Sequence, residues 1–337
     1  MANAYCRWGI LSTARINESV LPAFGHLENA TVCAVASRDL QRASKYAEVH
    51  NIAESYGSYQ ELLDSSEIDC IYVSLPNSLH AAWVERALRA GKNVLCEKPL
   101  APTESEANRL FDIAEENNVL LMEAFMYRHH PQTHEVRRLV LDGVVGQPQL
   151  VRLSFNFKTE DPLTDVRYRK DLAGGALLDV GCYCVNFCTY LFDSVPIQVS
   201  GWARMAPGGI DEGFCGQMHF DNGVFAIFDC SIYTPLDIGI TVLGDEGHLH
   251  VPTPWYPHQP PRHILIESKG EKRTVDFQGE DSYQLEISNF SAAVIGEAMP
   301  LITREETTRN IATIERLAAA ANISIQPSEL LNGEELQ

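Results

Sequence analysis

The sequence has little positive charge for its size. Its 337 residues contain 26 Lys and Arg against 45 Asp and Glu, a formal net charge of −19. A surface this acidic repels phosphate backbones and anionic lipids, which disfavours a nucleic-acid-binding or membrane-surface protein. The sequence also lacks a run of about 20 apolar residues and a basic N-terminal segment followed by an apolar stretch. We therefore expect neither a membrane span nor a secretory signal.

Paired metal-ligand spacings are also missing. The nine cysteines are an odd number and lie mostly within apolar runs, which favours buried, reduced thiols in a cytoplasmic protein. Two clusters lack the paired spacing of a zinc site, namely Cys182, Cys184 and Cys188, and His129, His130 and His134. For the histidines a polar loop is as good an interpretation as a ligand role. We predict no metal.

Hydrophobic periodicity divides the chain into two parts. Up to about residue 125, apolar strands such as Thr31–Ala36, Asp69–Leu75 and Asn93–Cys96 alternate with helices of ten to fifteen residues. Strands that are apolar throughout predict a parallel sheet covered by helices on both faces. The sequence therefore predicts a Rossmann-type, doubly wound α/β domain that binds a dinucleotide, over residues 1–125.

The pattern changes from about residue 149, where strand-like segments follow one another through short turns. The Asp-Asn-Gly sequence at 221–223 is typical of a hairpin. One helix, Ala176–Leu191, lies among these strands, and further helices are expected near 283–295 and 304–321. This indicates an α+β domain with an open, mainly antiparallel sheet over residues 126–325, with an acidic tail at 326–337. The family resemblance described below implies that this domain serves substrate binding and oligomerisation.

The first strand–helix turn carries an imperfect dinucleotide fingerprint. Gly9 takes the first glycine position and would permit the tight turn, while Ser12 and Arg15 stand at the later positions. Ser12 would let the backbone approach a pyrophosphate at the helix N-terminus and could donate its hydroxyl to phosphate. The order of strand, helix and second strand favours a nucleotide site over an ordinary turn. The candidate residues here are Gly9, Ser12, Thr13, Ala14, Arg15 and Ile16.

The end of the second strand predicts which nucleotide binds. An NAD site favours a carboxylate at this place, but the chain has Ser37 and Arg38, a hydroxyl and a guanidinium that suit a 2′-phosphate. The neighbouring Asp39 stands where a helix N-cap belongs. The alternative is that Arg38 is a solvated surface charge. We predict NADP as the cofactor, in preference to NAD.

Two further turns follow predicted parallel strands, at the sheet edge where ligands bind. Leu75, Pro76, Asn77 and His80 follow one strand, and Glu97-Lys98-Pro99 follows another. A lysine at this edge, beside a glutamate and before a rigid proline, is poorly explained by packing. The alternative is a surface ion pair.

In the second part, Gly174 and Gly175 open the predicted helix, so that a ligand or a neighbouring backbone can approach. Asp179 and Tyr183 are four residues apart, which places both on one helical face. Facing a cleft, they would form an acid–base pair. The alternative is a core tyrosine whose hydroxyl satisfies a buried aspartate.

These motifs together resemble the Gfo/Idh/MocA oxidoreductases over roughly residues 5–325. The resemblance rests on Glu97-Lys98-Pro99, the Gly-Gly-Ala-Leu-Leu-Asp helix and the open sheet. Residues 122–128 and the Asp179–Tyr183 pair look most like the branch that holds NADP-dependent D-xylose dehydrogenases, dimeric dihydrodiol dehydrogenases and glucose–fructose oxidoreductase. The inositol dehydrogenase branch has a histidine in place of Tyr183.

The resemblance implies roles for matching residues. Lys98 would hold the substrate oxygen and tune the acid–base group, Tyr183 would pass the proton, and Asp179 would orient the substrate or the tyrosine. Pro76, Asn77 and His80 would lie by the nicotinamide ribose, which adds to the cofactor-binding candidates Ser37, Arg38, Leu75, Glu97 and Lys98. Candidates to line the substrate pocket are Arg128, Arg167, Tyr168 and Arg169.

The function that follows is an NADP-dependent oxidoreductase that moves a hydride between the nicotinamide and a sugar or cyclic polyol, by aldose oxidation or keto-sugar reduction. One alternative is a sugar–sugar oxidoreductase with permanently bound NADP. Another is a non-catalytic NADP-binding sensor, which would have lost Lys98, Asp179 and Tyr183. The resemblance also implies a homodimer or homotetramer formed through the C-terminal sheet.

Overall fold

Two structural units make up the chain in the computed structural model, which describes residues 5–328. The first unit contains residues 5–125, 283–307 and 327–328, and the second contains residues 126–282 and 308–326. The first unit therefore includes chain that follows the second unit in sequence. Residues 329–337 of the predicted tail lie outside the described residues.

The first unit contains a six-stranded parallel sheet in the order β3-β2-β1-β4-β5-β6. Its strands are β1 (Cys6–Leu11), β2 (Ala30–Ala36), β3 (Glu54–Tyr56), β4 (Cys70–Val73), β5 (Asn93–Glu97) and β6 (Leu121–Ala124). Every residue of β4 is buried, as expected of a strand covered on both faces. The strand order reverses between β1 and β4, and the crevice at such a reversal is where doubly wound sheets bind ligands.

Helices alternate with these strands. They are α1 (Asn17–Phe24), α2 (Leu40–His50), α3 (Tyr59–Asp64), α4 (Asn77–Arg89) and α5 (Glu104–Glu116), with α8 (Ser282–Val294) and the start of α9 (Arg304–Ala320) later in the chain. Asp39 caps α2 by accepting from the N–H groups of Gln41 at 2.8 Å and Arg42 at 3.2 Å, which confirms the predicted cap. β3 and α3 were not predicted, because three and six residues are too few to show a period.

The second unit contains an eight-stranded sheet in the order β14-β13-β12-β11-β7-β10-β9-β8. Its strands are β7 (Pro148–Lys158), β8 (Gln198–Met205), β9 (Asp211–His219), β10 (Phe225–Ser231), β11 (Tyr233–Gly244), β12 (Gly247–Val251), β13 (His263–Ser268) and β14 (Glu271–Asp276). Neighbours are antiparallel except β10 and β7. The hairpin at 221–223 joins β9 to β10, and Gly223 takes a φ of +85°. The predicted fold class is confirmed, although β12, β13 and β14 were not predicted.

The segment that carries His129, His130 and His134 is helical, so the polar loop, one of the two interpretations left open, is wrong. A 3-10 helix covers Met126–His129, and α6 covers Pro131–Leu141. His130 is the N-cap of α6, where its Nδ1 accepts from the Gln132 N–H at 3.1 Å. Pro131 suits the first helical position, where no N–H is needed.

The helix predicted over Ala176–Leu191 has two parts. A π-helical segment, Leu177–Gly181, leads into α7 (Cys182–Phe192). A π-helix has a wider turn than an α-helix, so the four-residue spacing of Asp179 and Tyr183 does not fix the angle between their side chains as it would in a regular α-helix.

The helical stretch Lys170–Phe192 has the length and composition of a membrane span, contrary to expectation. The apolar window of this stretch is 78% buried inside the protein, which is typical of a core helix.

Candidate active site

The turn after β1 packs against the neighbouring strand β4. Gly9 lies within β1, and a Cβ there would come within 2.8 Å of Leu62 Cδ2, so close packing rather than the turn requires glycine. Ser12 has a φ of 107°, a conformation that glycine adopts more readily. Its hydroxyl lies 2.9 Å from the Ser74 carbonyl oxygen and accepts from the Ala14 N–H at 3.1 Å. The Ser12 hydroxyl is thus held by the neighbouring strand end rather than left to donate to a phosphate.

A basic pair lies where β2 ends. Arg38 is exposed, and Arg42, in the first turn of α2, donates from Nε to the Thr13 hydroxyl at 2.7 Å. Burial raises the pKa of the Tyr59 hydroxyl, and the Arg38 and Arg42 guanidiniums act against that rise, which places both charges near Tyr59. The Arg38 and Arg42 guanidiniums, with the Thr13 hydroxyl beside Arg42, can hold a phosphate monoester through charge-assisted hydrogen bonds.

The other residues predicted at the ends of β1 and β2 differ in their exposure. Ser37 is buried, with its N–H bonded to the Tyr56 carbonyl oxygen at 3.2 Å. Arg15 is exposed, and Ala14 and Ile16 are half-buried at the start of α1. Since the N-terminus of a helix favours an anion, this turn suits a pyrophosphate.

His80 joins the turns that follow β4 and β5. Its ring has no exposed surface, with Nδ1 at 2.7 Å from the Pro99 carbonyl oxygen and Nε2 at 2.7 Å from the Leu75 carbonyl oxygen. Burial lowers the pKa of His80, while the two carbonyl contacts act against that effect. Both nitrogens are occupied by the backbone, so the ring connects two turns and has no nitrogen left for the predicted contact with a cofactor. Pro76 and Asn77, at the start of α4, remain half-buried.

The turn that carries Lys98 is tied to the sheet on both sides. The Tyr72 hydroxyl, on β4, donates to Glu97 Oε1 at 2.5 Å. On the other side the Leu100 N–H donates to Glu123 Oε1, on β6, at 3.0 Å. Burial raises the pKa of Glu123 to about 7. Lys98 itself is half-buried, so an ammonium is presented at the carboxyl edge of the parallel sheet.

In the second unit, the two glycines before the π-helical segment are required by close contacts within the protein. A Cβ on Gly174 would lie 2.3 Å from the Arg167 carbonyl oxygen, and Gly175 has a φ of +121° beside the Asp211 carboxyl. Asp211 accepts from the Leu177 N–H at 2.7 Å. Burial raises the pKa of Asp211 to about 7. Of the two predicted reasons for these glycines, the approach of neighbouring chain is therefore the one observed.

Asp179 and Arg167 form an ion pair at this helix start. Arg167 Nε donates to Asp179 Oδ2 at 2.6 Å. The Nη1 atom of the same guanidinium lies 3.4 Å from Asp165 Oδ1. The Asp179 side chain is 14% exposed and that of Arg167 is 39% exposed. The pair is thus reachable from solvent and presents both an acceptor and a donor of hydrogen bonds, which a hydroxyl-rich ligand requires.

Tyr183 stands at the edge of an aromatic cluster. Its ring centroid lies 5.1 Å from that of Phe155, 5.6 Å from that of Tyr127 and 5.8 Å from that of Trp255. The Trp255 indole N–H donates to the Ser154 carbonyl oxygen at 2.8 Å and so fixes one wall. Tyr183 itself is half-buried, so its ring is fixed by packing while part of the residue stays accessible.

The remaining substrate candidates differ in accessibility. Arg128 is 1% exposed and lies over the Tyr190 ring at 3.5 Å from its centroid, so its burial does not support a place in a substrate pocket. The Tyr168 hydroxyl lies 3.4 Å from the Ile232 carbonyl oxygen. Arg169 is exposed and pairs with Asp171.

The cysteines and histidines form no metal site in the part of the chain that the structure describes, where no group of three or more His, Cys, Asp or Glu side chains could hold an ion. The nine cysteines are free thiols, and Cys182, Cys184 and Cys188 are buried. His129 and His130 are also buried, and burial lowers the pKa of His129 to about 3 and that of His130 to about 4.

Comparison with known protein families accounts for both units. The family described as "Oxidoreductase family, NAD-binding Rossmann fold" matches residues 6–125. The family described as "GFO/IDH/MocA C-terminal domain" matches residues 133–250. The chain belongs to the GFO/IDH/MocA oxidoreductase family. This confirms the resemblance predicted from the sequence, and with it an oxidoreductase.

Individual members of the family are similar over most of this GFO/IDH/MocA chain. A D-xylose 1-dehydrogenase (NADP(+)) of Haloferax volcanii is 37% identical over 318 residues, 93% of this chain and 97% of its own. A trans-1,2-dihydrobenzene-1,2-diol dehydrogenase of Xenopus laevis is 38% identical over 79% of this chain and 80% of its own. The crystal structure of KijD10, a 3-ketoreductase of Actinomadura kijaniata in complex with NADP and TDP-benzene, has a TM-score of 0.87 and 30% identity, covering 94% of this chain and 98% of that one.

Three residues were not predicted from the sequence, Arg42 and Glu123 in the first unit and Asp211 in the second. Arg42 could have been found, because it is a second guanidinium four residues after Arg38, in the first turn of α2. Glu123 gave a weaker signal, as a carboxylate that ends an apolar strand. Asp211 gave none, since its partner Leu177 is 34 residues away in the chain.

Proposed function

We propose that this member of the GFO/IDH/MocA family is an NADP-dependent oxidoreductase that transfers a hydride between the nicotinamide and a sugar or cyclic polyol. The observation that carries the choice of NADP is the pair of guanidiniums on Arg38 and Arg42, of which Arg42 bonds to Thr13 in the nucleotide turn. The NADP named for the Haloferax volcanii relative and bound in the KijD10 structure supports the same choice.

The residues of the first unit fit such a cofactor. The turn 12–16 would hold the pyrophosphate at the N-terminus of α1, and Arg38 and Arg42 would hold the 2′-phosphate. Pro76, Asn77 and the 97–98 segment lie at the carboxyl ends of β4 and β5, where a nicotinamide ribose would be placed in a doubly wound sheet. When bound, NADP supplies the hydride chemistry, and the protein supplies alignment and proton transfer.

We propose Tyr183 as the group that exchanges the substrate proton, with Lys98 assisting. A phenol accepts a proton only as the phenolate, and a nearby ammonium stabilises that anion. A proton-transfer group held in place in this way contributes typically about 10²-fold to 10⁴-fold in rate. The Asp179–Arg167 pair, which is accessible, would orient the substrate by accepting from one hydroxyl and donating to another. Tyr168 and Arg169 are further candidates for the pocket.

The substrate class is supported by the names of the relatives. They act on D-xylose and on a cyclic diol, and KijD10 is named a ketoreductase. The compounds named or implied for these relatives share a carbon that carries a hydroxyl or keto oxygen and is bonded to another oxygen-bearing carbon. We therefore propose aldose oxidation or keto-sugar reduction. The cytoplasmic location expected from the cysteines stays a prediction.

The experiment is nicotinamide absorbance with purified protein, a panel of aldoses and cyclic diols, and NADP and NAD in parallel. We expect turnover with at least one substrate, faster with NADP. Tyr183→Phe should reduce turnover by roughly 10²-fold or more while the Kd for NADP is unchanged. Tyr190→Phe, on the same helix α7, is the matched control and should keep turnover.

Near-normal turnover by Tyr183→Phe would contradict the proton-transfer role. If NADP binds but no compound of the panel reacts, carbonyl compounds with NADPH decide the matter. Reduction would then assign a keto-sugar reductase, and no reaction in either direction would favour the non-catalytic sensor.

A further inference from the structure

The turn 97–100, which carries Lys98, has its last residue fixed by a buried carboxyl. The Leu100 N–H donates to Glu123 Oε1 at 3.0 Å, and Glu123, on β6, has no exposed surface. A carboxyl inside the protein is costly unless its charge is used or removed. The bond to Leu100 explains only one of its two oxygens.

The second oxygen of Glu123 indicates that this group can hold a proton. Oε2 is buried, and no donor among the described residues makes a well-aligned hydrogen bond to it. The Thr307 hydroxyl is also buried without a well-aligned partner, and it lies close enough to Glu123 to favour the charged carboxylate. A carboxylate whose second oxygen lacks a donor is destabilised, whereas the neutral acid at the same place can donate its own hydrogen.

The groups around Glu123 put its titration within the working range of an enzyme. Burial raises the pKa of Glu123, and the nearby charge of Glu97 raises it further. The Leu100 N–H, the Thr307 hydroxyl and the Lys98 ammonium act in the opposite direction, and the resulting pKa is about 7. Glu123 is thus neutral in mild acid and negative in mild base.

We propose that Glu123 is a positioning residue for Lys98, which it places through the Leu100 N–H and whose ammonium it stabilises by its own negative charge. The inference rests on the proposed function only for the role of Lys98. The charge of Glu123 is itself part of the folded protein, whether or not a substrate turns over. A neighbouring opposite charge favours the ammonium form, so ionised Glu123 extends the pH range over which Lys98 stays charged.

Two substitutions separate the two parts of this role. Glu123→Gln keeps an oxygen that accepts from the Leu100 N–H but cannot ionise. Glu123→Leu removes both the acceptor and the charge. Glu85→Gln, on α4, is the matched control, because it removes a carboxylate that pairs with Arg89 and Arg109 in the same unit.

The pH dependence of kcat with NADP and the best substrate is the kinetic measurement. Below pH 7 the wild type and Glu123→Gln should agree, because the wild-type group is then neutral as well. Above pH 7 the alkaline limb of Glu123→Gln should lie lower by roughly 1 pH unit, because the ammonium has lost an opposite charge. Glu123→Leu should lose roughly 10-fold to 100-fold in kcat at every pH, because the turn is no longer held. Glu85→Gln should follow the wild type.

The second measurement does not depend on turnover. The infrared difference spectrum of the whole protein between pH 5.5 and pH 8.5 should contain protonated-carboxyl bands from both Glu123 and Asp211, because burial raises the pKa of each to about 7. The spectrum of Glu123→Gln should therefore lose the Glu123 part of this intensity and keep the Asp211 part. If the intensity is the same in both proteins, or if Glu123→Gln and wild type have the same alkaline limb, the proposal is wrong. A protein that shows the titration but turns over no substrate would instead overturn the proposed function.

Discussion

At the residue scale, Arg38 after β2 and Arg42 in the first turn of α2 are the side chains that we propose select the cofactor. Arg38 is exposed, and Arg42 is held towards the nucleotide turn by its bond to Thr13. A 2′-phosphate placed between them would gain charge-assisted hydrogen bonds, whereas a 2′-hydroxyl would gain little. The absence of a carboxylate partner for the ribose at Ser37 or Arg38 acts in the same direction.

Arg38→Ala should therefore weaken NADP binding far more than NAD binding. We expect the Kd for NADP to rise roughly 10-fold to 100-fold, the range of one or two lost hydrogen bonds to a charged group, with the Kd for NAD changed less than about twofold. Arg42→Ala should act in the same direction. Fluorescence titration with both nucleotides measures this.

Arg89→Ala is the control for loss of a positive charge, since Arg89 is exposed on α4 and pairs with Glu85 at 2.9 Å. It should leave both Kd values unchanged. Equal losses of NADP and NAD affinity in Arg38→Ala would mean that the guanidinium does not read the phosphate.

At the scale of an element, the start of the helix that carries Asp179 depends on a buried carboxyl. Asp211 accepts from the Leu177 N–H, and its pKa rises from 3.8 to about 7 because of burial. The native protein thus binds this proton more tightly than the unfolded chain does. The stabilisation is complete below about pH 4 and is lost as the pH rises through about 7.

Asp211→Asn should remove this part of the pH dependence, because an amide can still accept from the Leu177 N–H without ionising. Between pH 4 and pH 8 the wild type should lose up to roughly 4 kcal/mol of unfolding free energy relative to the variant. Urea unfolding across this range measures the difference. Asp171→Asn, at an exposed ion pair, should show no such difference. A difference independent of pH would mean that Asp211 is ionised throughout.

At the scale of the whole molecule, one face of the second sheet carries several large apolar side chains that are exposed. They are Trp202 on β8 at 64%, Phe225 and Ile227 on β10 at 51% and 37%, and Leu265 on β13 at 41%. Polar side chains lie among them, since Ile227 pairs with Gln217 on β9 and Arg152 on β7. A cavity of about 610 Å³ opens beside Trp202. Exposed apolar residues rimmed by polar ones are typical of an association site. We propose that it joins copies of this chain into a homodimer or homotetramer.

Ile227→Glu should convert the oligomer into monomers. The new carboxylate lies opposite Arg152 in the sheet, so the monomer tolerates it, whereas an interface would bury the charge. Sedimentation velocity gives the mass. Leu163→Glu, at a loop residue that is 93% exposed, is the control and should behave as the wild type. A monomeric wild type, or an unchanged mass for Ile227→Glu, would contradict the proposal.

The elements that could be predicted are those with a long period or a strong local signal. The apolar runs of β2, β4 and β5, the Asp39 cap and the hairpin at 221–223 each depend on neighbouring residues only. β3, α3 and β14 were missed because they are short, or polar and exposed at a sheet edge, so that tertiary packing rather than pattern forms them.

The order of apolar strands and helices, the acidic surface and the family motifs can all be predicted from the chain alone, because periodicity and local turn chemistry are properties of adjacent residues. The partners of the polar side chains depend on the three-dimensional fold. It bonded the Ser12 hydroxyl to β4, buried Arg128 and enclosed His80 between two carbonyl oxygens. Such pairings join residues far apart in the chain, and no spacing along the sequence encodes them.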